Sequence, residues 1–148
     1  MLPLVFAALL DLAGATPAAG AIVVVAGKQI GPVKIGMSER ELAQLGAAVV
    51  DGEWRIDRIS AGVDKRGRVN HIAAYLGYTG QPRLSIGERS FQLEFLRHTA
   101  DELVTLLDGC KRPRRGGEER LYRIWRCAGI RVEERLADGD PELNLFVY

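Results

Sequence analysis

The histidines of this chain are its first candidates for chemistry, because an imidazole titrates near neutral pH and can act as a general acid or base. There are two, His71 and His98. Neither is accompanied by a Gly-x-Ser-x-Gly nucleophile elbow, a paired-carboxylate motif or a phosphate-binding glycine loop. The sequence therefore favours structural or surface roles for both. It predicts no catalytic residue, no cofactor and no enzymatic activity, and an enzyme is the least supported alternative.

The two cysteines, Cys110 and Cys127, are 17 positions apart. In an exported chain, two cysteines most simply form one disulfide. Closing a loop of this length would stabilise the fold by ~3 kcal/mol. The alternatives are free thiols in a cytoplasmic protein or a metal site, and neither histidine has zinc-type spacing to a cysteine. We therefore expect a Cys110–Cys127 disulfide and no metal.

The strongest local charge feature is a basic segment, residues 111–126, which also contains two aromatic residues. Arginine, tyrosine and tryptophan are enriched at protein interfaces, and basic plus aromatic composition also occurs in nucleic-acid binding. In an exported chain we favour a protein partner with an acidic surface, and no nucleic acid. The simplest alternative is a solvated loop and the outward face of a strand. The predicted partner-binding residues are Arg112, Arg114, Arg115, Arg120, Tyr122, Arg123 and Trp125.

Alternation separates the aromatic residues of this segment, because neighbouring side chains of a strand point to opposite faces. One face would carry Tyr122, Ile124 and Arg126, and the other would carry Arg123, Trp125 and Cys127. A weaker basic cluster surrounds an earlier predicted hairpin, at the corresponding place in the first half of the chain. We hypothesise that both clusters line one sheet face that meets the partner. The second cluster comprises Arg55, Arg58, Lys65, Arg66 and Arg68.

These candidate residues belong to a pattern that occurs twice, in residues 27–46 and 87–109. Each copy begins with glycine, continues through an alternating segment and enters a short helix with a capping signal. The signals are Ser38-x-x-Glu41 and Thr99-x-x-Glu102. Short alternating segments around them predict about eight strands, mostly antiparallel. We therefore expect an α+β fold of two similar halves, each a short capped helix packed on a small antiparallel sheet.

The first 21 residues contain no lysine or arginine, and the apolar run 4–10 is followed by small residues. This pattern is typical of a secretory signal peptide, and the alternative is a short apolar helix that packs on the domain. The run is shorter than the ~20 residues that a transmembrane helix needs. A net charge of +1 gives no global attraction to nucleic acid or to an anionic membrane. The predicted organisation is a signal peptide, 1–21, and two halves, 22–80 and 81–148, that share one core.

The string from Ile30 to Leu42, with Gly36-Met37-Ser38 before the capped helix, resembles small exported bacterial modules. It is similar to the SmpA/OmlA-like outer-membrane-assembly lipoproteins and to the β-lactamase inhibitor protein family. Resemblance to the second family implies a tandem of two helix-plus-antiparallel-sheet repeats. Ala15 stands where the lipoproteins carry the cysteine that receives the lipid, so we expect no membrane anchor.

Together these features predict an exported, non-enzymatic protein-binding module, an inhibitor or immunity protein that acts on a secreted or periplasmic partner. Steered association through a basic face would suit this role. The alternative is a soluble assembly or structural component of the bacterial periplasm, which the lipoprotein resemblance implies.

Overall fold

A computed structural model describes residues 20–77, 82–93, 99–116, 121–135 and 142–148. Most of these residues lie in strands, and the two helices among them, α1 (Glu39–Gln44) and α2 (Thr99–Val104), have six residues each. Neither is long and apolar enough to cross a membrane. The predicted signal peptide up to residue 19, His98 and Arg120 lie outside the described residues. The predicted boundary at residue 80 also falls there and stays a prediction.

The described residues form thirteen strands. In chain order they are β1 (Ile22–Val25), β2 (Gln29–Ile30), β3 (Val33–Lys34), β4 (Ala48–Val50), β5 (Glu53–Ile56), β6 (Ile59–Val63), β7 (Val69–Gly77), β8 (Arg83–Ile86), β9 (Arg89–Gln92), β10 (Arg114–Gly116), β11 (Tyr122–Cys127), β12 (Ile130–Arg135) and β13 (Glu142–Val147).

The smaller sheet has five strands in the order β3-β2-β1-β8-β9. Its central strand β1 is rich in β-branched residues, which suit a strand, and Val24 is buried. β1 pairs antiparallel with β2 and parallel with β8, with Val23 opposite Ser85. Because parallel pairing needs a long crossover, this contact joins the first half of the chain to the second.

The larger sheet has eight strands in the order β10-β11-β12-β13-β7-β6-β5-β4, and every neighbouring pair is antiparallel. Two runs of four strands meet where β13 pairs with β7. That register sets Leu145 opposite Ala74 and Val147 opposite Ile72. The two central strands of this sheet therefore come from different halves of the chain.

The predicted α+β fold, with one small sheet and one packed helix in each half, is wrong. The chain is mostly β, and both sheets contain strands from both halves. Helices of fewer than two turns present too little apolar surface to cover a sheet alone. Strand pairing between the halves, at β1–β8 and β13–β7, determines the architecture instead.

The first capping signal is confirmed. The Ser38 N–H donates to Glu41 Oε2 at 2.7 Å, and the Glu41 N–H donates to Ser38 Oγ at 3.3 Å, which together form a capping box. The backbone hydrogen bond from Ser38 is the main reason that the pKa of Glu41 lies below its ordinary value. The side chain of Thr99 lies outside the described residues, so the second cap stays a prediction.

One face of the larger sheet, which we call the inner face, packs against the helices and the smaller sheet. Leu42 of α1 and Leu103 of α2 are fully buried there, each contributing ~2 kcal/mol. The pairing of the strands places apolar side chains opposite one another in one continuous row across this face. The row consists of Trp125, Val132, Leu145, Ala74, Ile59 and Ile56.

The turn between β11 and β12 closes against the turn that follows β1. The Gly27 N–H donates to the Gly129 carbonyl at 2.8 Å, and a Cβ at Gly129 would lie 2.6 Å from the Gly27 nitrogen. Gly129 has φ of 71°, a left-handed value that glycine adopts without strain. This contact joins the two sheets at the end of β11 that carries Cys127.

Candidate protein-binding face

The other side of the eight-stranded sheet, which we call the outer face, faces away from the helices and the smaller sheet. It carries the side chains that alternate with the inner-face residues along each strand. Whereas the inner rows are mainly aliphatic, the outer rows are aromatic, cationic and polar. The residues of this face include Glu53, Arg55, Ser60, His71, Ala73, Tyr75, Arg114, Tyr122, Ile124, Arg126, Arg131, Glu133, Arg135, Glu142, Asn144 and Phe146.

Two aromatic rings, Tyr75 on β7 and Phe146 on β13, lie at the centre of the outer face. They meet edge to face, with centroids 6.3 Å apart, and Tyr75 is 46% exposed. The Arg131 guanidinium lies 4.2 Å from the centroid of the Phe146 ring, and its Nε is 3.1 Å from Glu133 Oε1. These two contacts place the arginine beside the rings, although its buried Nε has no hydrogen-bond partner among the described residues. We call Tyr75, Arg131 and Phe146 the ring cluster, and its composition is that of an interface hot spot.

Small side chains beside the ring cluster leave a depression in the outer face. Ser60, which lines the depression, is 3% exposed, and its hydroxyl donates to Glu53 Oε2 at 2.5 Å. The depression has a volume of about 330 Å³, and a protruding side chain of a partner can fill such a space. Its lining consists of Arg55, Asp57, Arg58, Ile59, Ser60 and Tyr75.

His71 lies further along β7 on the same face. Its ring covers Gly62, where a Cβ would collide with the imidazole, and its Nδ1 is 2.7 Å from Asn70 Oδ1. This packing explains why glycine stands at position 62. It supports a structural role for His71.

The Cys110–Cys127 disulfide is present, as predicted. Beside it, the Lys111 N–H donates to the Arg126 carbonyl at 3.0 Å, which holds the segment before β10 against β11. These bonds border a second depression on the outer face, of about 260 Å³, which we call the basic pocket. Its lining consists of Lys111, Arg112, Arg114, Ile124 and Arg126.

The predicted partner-binding residues divide between the two faces of the sheet. Arg112 and Arg114 are exposed at the basic pocket, and Arg115 is exposed on the other side of β10. Tyr122 lies on the outer face, where its hydroxyl donates to Glu142 Oε2 at 3.4 Å. Burial, followed by the charge of Glu142, raises the pKa of Tyr122 above its ordinary value.

Arg123 and Trp125 have their contacts inside the fold. Arg123 Nη2 donates to Asp101 Oδ2 of α2 and to Glu134 Oε1 of β12, both at 3.0 Å. The guanidinium also lies 4.4 Å from the centroid of the Trp125 ring, and Trp125 is 3% exposed. The alternation predicted for β11 is thus confirmed. It places this pair under α2, where Trp125 has almost no surface left for a partner.

The second basic cluster does not line the outer face as a unit. Arg55 lies on that face, whereas Lys65 and Arg66 occupy the turn between β6 and β7. Arg68 donates to the Gly36 carbonyl at 3.4 Å and lies 3.9 Å from the Glu41 carboxylate. The hypothesis that both clusters share one sheet face therefore applies to Arg55 and to Arg58, which lines the same depression, and not to the β6–β7 turn.

Sequence reasoning missed the ring cluster, although a signal for it was present. In β13 the apolar residues Leu143, Leu145 and Val147 point to the inner face and alternate with Asn144 and Phe146 on the outer face. An aromatic residue in the outward position of an otherwise regular alternation is the signal that would have found Phe146.

Comparison with protein-family models, with curated proteins and with solved structures found no match to this chain. Within the described part of the chain, no group of three or more His, Cys, Asp or Glu residues could hold a metal ion. The geometry of the outer face provides ring stacking, ion pairing and hydrogen bonding. These are the interactions of a binding surface.

Proposed function

We propose that this chain is an exported, non-enzymatic protein-binding module, an inhibitor or immunity protein, that binds its partner through the outer face. The observation that carries the proposal is the ring cluster. Arg131 is fixed on Phe146 beside Tyr75, in the middle of a sheet face that the helices leave open. Rigid aromatic and arginine side chains lose little conformational entropy on binding, which makes them efficient anchors.

The charge of the outer face supports a partner with an acidic surface. Its five arginines outnumber its three glutamates, and opposite charges at the rim of an interface speed association. The arginines are Arg55, Arg114, Arg126, Arg131 and Arg135, and the glutamates are Glu53, Glu133 and Glu142.

Three further observations support export to the periplasm or the medium. A disulfide between Cys110 and Cys127 persists in oxidising compartments and is rare in the cytosol. The apolar segment near the N-terminus and the resemblance of residues 30–42 to exported bacterial modules agree with that location.

The test is retention of partners from a periplasmic extract on the immobilised, disulfide-bonded chain, followed by mass spectrometry. The variant Tyr75→Ala/Phe146→Ala removes both rings. The matched control, Val25→Ala/Leu45→Ala, trims two apolar residues of similar exposure that lie outside the larger sheet. We expect a protein that the wild type and the control retain and the ring variant loses. The purified partner should then bind the ring variant at least ~100-fold more weakly.

The proposal would be overturned by either of two results. One is that the ring variant retains every protein that the wild type retains. The other is that the wild type retains nothing above the background of a blank matrix. Inhibition of an enzymatic activity of the captured partner by the wild type, and not by the ring variant, would identify the module as an inhibitor.

A further inference from the structure

The cations of the basic pocket form no ion pair with a described residue, a property that Arg55 and Arg115 of the larger sheet share. Three arginines elsewhere in the sheet lie within 4.0 Å of a glutamate: Arg123, Arg131 and Arg135. The pocket cations are exposed, and none of them forms an ion pair with a described residue. They are Lys111, Arg112, Arg114 and Arg126. Like charges that line one depression repel one another, and a bound anion would relieve that repulsion.

The fold shapes the pocket before any ligand binds. Lys111 and Arg126 each adjoin a cysteine of the disulfide, and a backbone hydrogen bond of 3.0 Å joins these two residues directly. Pro113 restricts the backbone between Arg112 and Arg114. Because the backbone that carries the cations is already held in place, less entropy is lost when a ligand binds.

The floor of the pocket favours a carboxylate on a hydrocarbon stem over a bare phosphate. Guanidinium groups bind both anions through paired N–H donors. Ile124, however, gives the pocket an apolar floor. A Cβ at Gly116 would lie 2.6 Å from Ile124 Cδ1, so this side chain packs closely against β10. A glutamate can rest its methylene groups on Ile124 and place its carboxylate among the cations.

The pocket is also continuous with the ring cluster. Ile124 lies opposite Glu133 in the strand register, and the Glu133 carboxylate is the one that holds Arg131. A protein that covers the ring cluster can therefore reach the pocket without leaving the outer face.

We propose that the basic pocket is the receptor for a glutamate or aspartate side chain in an acidic segment of the protein partner. This assignment rests on the proposed function for the nature of the partner, and on the pocket alone for the chemistry that it recognises. The Cys110–Cys127 disulfide acts by positioning the cations.

The test uses a fluorescently labelled hexaglutamate peptide, with binding to the disulfide-bonded chain measured by fluorescence anisotropy at low and at physiological ionic strength. The pocket variant is Arg112→Gln/Arg114→Gln. Its matched control, Lys65→Gln/Arg66→Gln, removes two exposed cations from the β6–β7 turn and gives the same net charge. We expect about tenfold weaker affinity for the pocket variant and less than about twofold for the control. Cys110→Ser/Cys127→Ser should also weaken binding, because it releases the backbone that positions the cations. This variant keeps Arg112, Arg114, Lys65 and Arg66.

Equal loss in the pocket variant and the control would overturn the proposal, since it would show unspecific attraction by net charge. If a single-stranded oligonucleotide of the same charge binds more tightly than hexaglutamate, the ligand of the pocket is nucleic acid and the proposal is wrong. Displacement of the peptide by inorganic phosphate at similar concentration would reduce the pocket to a simple anion site. The proposed function fails independently, if the Tyr75→Ala/Phe146→Ala variant keeps every captured protein while hexaglutamate still binds the pocket.

Discussion

Each face of the eight-stranded sheet carries an arginine stacked on an aromatic ring, but the surroundings of the two pairs differ. On the inner face Arg123 lies 4.4 Å from the ring centroid of Trp125, and on the outer face Arg131 lies 4.2 Å from that of Phe146. Each arginine also pairs with a glutamate of β12. α2 covers the first arrangement through Asp101, whereas the helices leave the second open. Residue types alone therefore do not distinguish a structural anchor from a binding anchor. The distinction depends on whether a helix covers the arginine and its ring.

The consequence is that the inner pair should govern stability and the outer pair should govern binding. Arg123 has two acidic partners, Asp101 and Glu134, whereas Arg131 has one, Glu133, and both arginines are partly buried. Removing the cation with more partners leaves more polar groups unpaired, which is costly. Arg131 lies on the face that the helices leave open, so the exposed part of its guanidinium is available to another molecule. Each variant below tests whether the two faces separate in this way.

The largest expected difference is between the two rings. Trp125→Ala should lower the free energy of unfolding by about 3–5 kcal/mol, because it removes a large side chain that is 3% exposed. Phe146→Ala should cost only about 1 kcal/mol, since the ring is partly exposed and loses one aromatic contact. Urea unfolding followed by far-UV circular dichroism measures both values. If Trp125→Ala does not fold, Trp125→Phe supplies the comparison, with a smaller loss.

Similar losses for the two rings would contradict the division between the faces. They would mean that Phe146 contributes to the core of the folded chain as much as Trp125 does. The ring variant used for partner capture would then be a stability variant, and its loss of binding would have to be repeated with Arg131→Gln.

The next difference is between the arginines. Arg123→Met should cost about 1–3 kcal/mol, because it leaves Glu134, whose side chain is 12% exposed, without its cation. Arg131→Met should change stability by less than about 1 kcal/mol. The double variant Arg123→Met/Glu134→Leu should recover part of the first loss, since the buried charge is then absent. Equal effects of the two single variants, or no recovery, would show that the second acidic partner and the cover of α2 do not separate the two ion pairs.

Local features of this fold could be predicted from the sequence. The capping box at Ser38 and Glu41 depends on residues three positions apart, and the disulfide depends on only two cysteines in the chain. The division of β11 into two faces follows from alternation. The cap and the alternation each depend on a few neighbouring residues. The disulfide was predictable because each cysteine has no other cysteine to bond to.

The architecture could not be predicted in the same way, because it depends on which strands pair. β13 joins β7, and β1 joins β8, through backbone hydrogen bonds that any residue other than proline can form. A duplicated order of elements is therefore compatible with two separate sheets and with the shared sheets observed here. The same choice determines the candidate site, since the β13–β7 pair brings Phe146 beside Tyr75.

The smallest expected effect concerns Tyr122, which lies on the outer face but is partly covered. The pKa of its phenol is raised by burial and by Glu142, so the folded chain holds this proton more tightly than the unfolded chain. The resulting stabilisation is fully present below the ordinary tyrosine pKa of about 10 and is lost as the pH rises through the raised value. Spectrophotometric titration should show a late tyrosinate component that Tyr122→Phe removes and Tyr148→Phe leaves. A late component that survives Tyr122→Phe would belong to another tyrosine. It would show that burial on the outer face does not raise the pKa of Tyr122.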